Sequence, residues 1–303
     1  MLANPFPGSV QWSTVASTLT NVRNTAYVWN AANGNYDVLL NSGSDKIAPF
    51  QSFWVQATGS SPSITIPVSA TTTDATFRKT ETPTLKLAVH GNSKGYQANS
   101  YVRFMGGTEA GVDQIDDAPY LPSMEADAPA LYTVVEDASL AVNSLPRDGE
   151  PVSIPLHFTC TVDGQYLLGL KQIDWNGREV LLEDKLTGEV REASRGYLFD
   201  HIPTNAPDRF VLHIGQLASS IKEAAQARRP ELYVENRQLR LRNAARFAQQ
   251  PLEVSLFDAA GREVLRQNWH GQPLDVAHFS EGVYLYQLTG QGHAVNGKIS
   301  IVR

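Results

Sequence analysis

Cysteine is almost absent: Cys160 is the one thiol in 303 residues. An internal disulfide is therefore excluded, and so is a cysteine-based metal centre. Such a lone cysteine reads as a small buried apolar side chain. A basic surplus is also lacking. Twenty-five Lys and Arg stand against 31 Asp and Glu, a formal charge of −6. Nucleic-acid binders need a basic stripe, so that class is set aside. No apolar run approaches the roughly 18 residues of a membrane-spanning helix. The seven histidines (His90, His157, His201, His213, His270, His278 and His293) show no H-x-x-x-H or H-E-x-x-H spacing. No Gly-x-Ser-x-Gly elbow and no P-loop occurs. The chain thus reads as non-enzymatic, with no cofactor implied.

What is present is the punctuation of many short strands. The 17 prolines and 22 glycines fall between short apolar runs. The fold class expected is all-β, built of consecutive antiparallel β-sandwich domains. Residues 1–80 form a β-rich accessory region. There Tyr27-Val-Trp29 and Asn35-Tyr-Asp-Val38 flank a hairpin turn closed by Asn33-Gly34. Gln11 to Asn21 is ambiguous, and its Thr and Val content argues against a stable helix. Residues 82–216 suit a two-sheet sandwich or jelly roll. Leu85-Lys-Leu-Ala-Val89 and Arg209-Phe-Val-Leu-His-Ile214 alternate with period two, giving one buried and one wet face. Pro155 inside a strand pattern marks an edge strand or a bulge. Residues 217–230 read as a linker or a short helix, with Ser220 and Glu223 at capping-box spacing and Pro230 ending it. Residues 231–303 carry six or seven short strands, for which an immunoglobulin-like sandwich is the economical fold.

The N-terminus, Met1-Leu-Ala-Asn-Pro-Phe-Pro-Gly8, has neither the charged nor the apolar region of a signal peptide. The expectation is a fragment whose natural chain continues upstream.

Three pieces of the last region stand in a telling order. The first is Phe257-Asp-Ala-Ala-Gly-Arg-Glu-Val264. The second is Leu274-Asp-Val-Ala-His-Phe-Ser-Glu-Gly-Val-Tyr284. The third is Lys298-Ile-Ser-Ile-Val-Arg303. Together they resemble the type A C-terminal sorting domain of type IX secretion substrates. That family often opens on Pro-Asn-Pro, which Glu231-Leu-Tyr-Val-Glu-Asn-Arg237 lacks. Asn4-Pro-Phe-Pro-Gly8, Tyr27-Val-Trp-Asn30 and Ile47-Ala-Pro-Phe-Gln-Ser-Phe-Trp-Val55 are similar to a non-catalytic segment that often precedes this domain in large surface proteins.

The resemblance implies a secreted or cell-surface protein exported across the outer membrane. Its partners would be the type IX outer-membrane shuttle and the sortase that removes the label. Gly261, Arg262, Gly282, Tyr284, Lys298 and Arg303 are the residues expected to carry recognition. Gly261 and Gly282 also read as turn residues. Tyr284 and Tyr286 lie opposite Val283 and Leu285, either as a packed face or as an exposed contact.

Two other sites are candidates. Trp12, Trp29 and Trp54 fall in the first region, where aromatic platforms can stack sugars, although an aromatic core is commoner. A carbohydrate-binding or adhesion module is therefore the alternative function. Asp113, Asp116 and Asp117 are the weak metal candidates, since carboxylate oxygens suit Ca²⁺. They lack the grammar of a calcium loop, and a solvated acidic loop explains them as well.

Overall fold

The computed structural model describes residues 1–41, 45–72, 84–91, 94–108, 111–147, 150–173, 179–215, 221, 223, 230–243, 252–270, 272–290 and 293–302. The expected linker therefore lies largely outside the described residues. The chain divides into two compact units, Met1–Leu182 with Arg191–Gln216, and Glu183–Val190 with Leu217–Arg303.

The N-terminal region of the first unit holds β1 (Leu2–Ala3), β2 (Ser9–Gln11), α1 (Trp12–Ala16), β3 (Ala26–Asn30), β4 (Asn35–Leu39), β5 (Lys46–Ile47), β6 (Ser52–Phe53) and β7 (Thr71–Thr72). These strands pair as β1-β6, β5-β2-β7 and β3-β4. Asn4 explains the Asn-Pro-Phe-Pro segment. It is buried, its amide donates to the carbonyls of Gly8, Ile47 and Ala48, and its Oδ1 accepts the Phe6 N–H. Helix α1 forms where propensity argued against one. It has no side-chain cap, but it buries Trp12, Val15 and Ala16. Packing of that face supplies what propensity withholds. The β3–β4 hairpin matches expectation, with Asn30 opposite Asn35 and Gly34 at φ +59°.

Buried polar contacts join the first 72 residues to the sheet region beyond them. Arg23 donates to the carbonyls of Asp113 and Asp117 at 2.9 Å each. The Tyr27 hydroxyl donates to Pro119 O, and Asn35 donates to Gln97 O and Pro129 O. Residues 1–72 and the sheet region that follows lie in one compact unit.

The next eleven strands make one sheet. They are β8 (Thr84–Gly91), β9 (Gln97–Met105), β10 (Ala118–Pro119), β11 (Ala130–Val135), β12 (Ala138–Pro146), β13 (Val152–Thr159), β14 (Gly164–Ile173), β15 (Val180–Asp184), β16 (Glu189–Glu192), β17 (Tyr197–His201) and β18 (Phe210–Ile214). The order is β16-β15-β18-β13-β11-β12-β9-β8-β14-β17, with β10 on β12. It curls as a half-barrel around a core that includes Leu87, Val102, Leu156, Phe158, Tyr166 and Phe210. Two expectations change here. The strands form one curled sheet rather than two facing antiparallel ones. That sheet is mixed, because β9 and β12 run parallel, Tyr101 opposite Val142. Pro155 lies in a strand flanked on both sides, between β11 and β18. The β11 ladder ends at Leu156, however, so Pro155 meets only Val211 of β18 and is locally at an edge.

The second unit holds β19 (Glu231–Glu235), β20 (Gln238–Arg242), β21 (Leu252–Phe257), β22 (Glu263–Trp269), β23 (Leu274–Asp275), β24 (Gly282–Gly290) and β25 (His293–Ile301). They form two antiparallel sheets, β19-β20-β23 and β22-β21-β24-β25. Both contribute to one core, with Leu232 and Leu239 from the first and Val254, Leu256, Tyr286 and Ile299 from the second. Burying each aliphatic side chain of this kind contributes about 1.5–3 kcal/mol.

Candidate functional site

The Gly-Arg hairpin is a self-contained turn between β21 and β22. Asp258 organises it. Its Oδ1 accepts the N–H groups of Ala260 and Arg262, and its backbone N–H donates to Arg262 O. Gly261 sits at φ +78°, a left-handed conformation that a residue with a Cβ enters only at a cost. The Arg262 guanidinium returns to Asp258 Oδ2 at 2.7 Å while remaining 81% exposed. These bonds from Arg262, backbone first and side chain second, hold the Asp258 carboxyl below its ordinary range. Arg262 is thus displayed on the surface yet held in place by its bonds to Asp258.

On β24 the two alternating faces are the reverse of what hydrophobicity alone suggests. Tyr284 and Tyr286 point into the core, whereas Val283 and Leu285 are 55% and 53% exposed. The tyrosine face is therefore the packed one. The Tyr284 hydroxyl donates to Ser280 O at 2.9 Å, and its ring meets Phe279 edge-on. Tyr284 thereby fixes the loop that leads into β24. Gly282 opens that strand opposite Ile301.

Lys298 lies on β25 directly across from Leu285 and faces outward. Arg303 lies outside the described residues. Sequence reasoning misses Gly297. A Cβ there would overlap the Tyr286 ring, its direct cross-strand partner. The glycine before Lys298 is thus the space that the tyrosine fills.

The three tryptophans part company. Trp12 is fully buried, its Nε1 donates to Asn24 O at 2.8 Å, and its ring packs on Phe53. It offers no face to a sugar. Trp29 is half-buried and meets Tyr36 edge-on. Trp54 is 45% exposed and pairs through its backbone with Tyr27.

The acidic loop is tied up by hydrogen bonds within the fold. Asp113 Oδ1 accepts the N–H groups of Ile115 and Asp116. Asp116 Oδ1 accepts the Asn24 amide. Asp117 accepts the N–H groups of Ser144 and Asp113. Burial pushes Asp117 up to about 6, with these two N–H groups pulling the other way. Among the described residues no cluster of His, Cys, Asp and Glu could hold a metal ion.

Cys160 is buried, as expected of a small apolar side chain. Its Sγ accepts the Tyr166 hydroxyl, and its carbonyl meets His201 Nε2 at 2.9 Å. Burial, helped by nearby Arg209, holds His201 below its ordinary value, which favours the neutral ring. Among the described residues, no helix is long and apolar enough to cross a membrane.

Comparison with known proteins separates the last domain from the rest of the chain. Residues 236–302 match the family described as the secretion system C-terminal sorting domain. This last domain is therefore a sorting domain of the type IX secretion system. The match does not extend to the preceding β regions. No curated protein matches the chain. No solved structure matches it either.

Proposed function

We propose that the chain is a non-enzymatic C-terminal part of an exported protein, and that residues 231–303 act as its export label. The observation that carries this reading is the family match over residues 236–302. A domain of that family implies export across the outer membrane, to the cell surface or beyond. The three-plus-four arrangement of strands supports reading the label as immunoglobulin-like. In this reading the outer-membrane shuttle takes hold of Arg262 and Lys298, and a sortase then removes the domain. The glycines and Tyr284 act from behind by shaping the turns. A reporter fused to residues 231–303 is expected outside a host that carries the system. Deleting residues 298–303 should retain it. A full-length fusion that stays inside the cell would sink the proposal.

Trp54 favours a second reading for the first unit, because an exposed indole suits stacking against a sugar face. Binding of a polysaccharide by the full chain, lost in Trp54→Ala and kept in Lys298→Ala, would establish it. Binding that Trp54→Ala leaves unchanged would remove it.

A further inference from the structure

The turn between β19 and β20 is strained in a way that stability does not explain. Glu235 pairs with Gln238, so Asn236 and Arg237 form a two-residue hairpin turn. Both have positive φ, +50° and +59°. That is the pattern of a type I′ turn, whose second position strongly favours glycine. Arg237 holds it instead, with a Cβ in left-handed backbone. Strain retained at one position directs attention to what the side chain does there.

Arg237 borders a cleft of about 440 Å³. Ala277, Phe279, Ser280, Glu281 and Val302 also line it, over the buried Val276. The cleft is built rather than accidental. Val276 N–H donates to Arg237 O at 2.9 Å, and the Phe279 N–H closes a turn onto Val276 O. Tyr284 holds Ser280 from below. Among the described residues the Arg237 guanidinium has no ion-pair or hydrogen-bond partner, whereas Arg240, Arg242, Arg262 and Arg266 of the same unit are all paired.

We propose that this cleft binds a peptide segment presenting one carboxylate side chain between apolar neighbours. The guanidinium fork takes the carboxylate. Ala277, Phe279 and Val302, which keep exposed surface, take the flanking side chains. One guanidinium balances the charge of a carboxylate monoanion but only half that of a phosphate dianion. The inference is independent of the export reading, because the cleft is defined by its own geometry.

The test uses the full chain and ligand-detected NMR with the peptide acetyl-Leu-Asp-Val-amide. Saturation transfer is expected, with affinity about tenfold weaker for acetyl-Leu-Asn-Val-amide, the loss of one charged hydrogen-bond pair. Inorganic phosphate should not compete. Arg237→Gly is the decisive variant. It should raise the melting temperature by relieving the turn, yet weaken the aspartyl peptide at least as much as the asparagine exchange does. Arg237→Gln, which keeps the strain and loses the charge, should also weaken it. Absence of binding, equal binding of the two peptides, displacement by phosphate, or full binding by the stable Arg237→Gly chain would each overturn the proposal.

Discussion

The contact between Gly297 and Tyr286 shows how one hydrogen in place of a methyl fixes a local design. Gly297 has ordinary extended backbone, so its requirement is steric rather than conformational. Gly297→Ala is expected to cost about 1–3 kcal/mol, the usual range for overpacking. Urea unfolding of the variant measures it. Adding Tyr286→Leu should return part of the loss, because the ring that collides is gone. His201 makes a different demand. It is buried, it donates through Nε2, and its Nδ1 has no partner among the described residues. Its folded pKa lies below the unfolded 6.5, so the folded state favours the neutral ring. That contribution is complete above pH 6.5 and fades as the pH falls through the folded value. Asp117 runs the other way, since its raised folded value favours the protonated state and its contribution fades as pH rises through about 6. Comparing the chain with His201→Gln cancels Asp117. The difference in melting temperature between the two should shrink from pH 7.5 to pH 5, and a constant difference would contradict the assignment.

Among the elements, local signals are the legible ones. Asn33-Gly34 and Asp258–Arg262 announce their hairpins because positive φ narrows the choice of residue. The alternation in Leu85–Val89 and Phe210–Ile214 announces buried faces. Tyr197-Leu-Phe-Asp-His201 carries the same alternation but is harder to read, since Leu198 interrupts it with an apolar residue on the wet face. The parallel pairing of β9 with β12 leaves no trace in the chain, because register across distant strands depends on the whole sheet rather than on either strand. Helix α1 is hidden for the same reason, being held by packing and not by its own residues. At the candidate site, the motif positions are readable but their directions are not. Tyr284 reads equally as packed or exposed and is packed, Trp12 reads as core or platform and is buried in the core, and Arg237 gives no signal outside its backbone angles.

At the scale of the whole molecule, the two units differ in how far along the chain their pairings reach. In the first, Leu85 meets Gln172, Val152 meets Ile214 and Val10 meets Thr71. In the second, β19 with β20, β21 with β22 and β24 with β25 are sequence neighbours, and the longer pairings, Glu253 with Thr289 and Leu239 with Leu274, still span less chain than those of the first. Closing long loops before any contact rewards them slows folding, and local hairpins avoid that delay. The curled sheet and the sorting domain thus run on different clocks. The sorting domain, with its shorter-range pairings, is expected to fold ahead of the β-rich body attached to it.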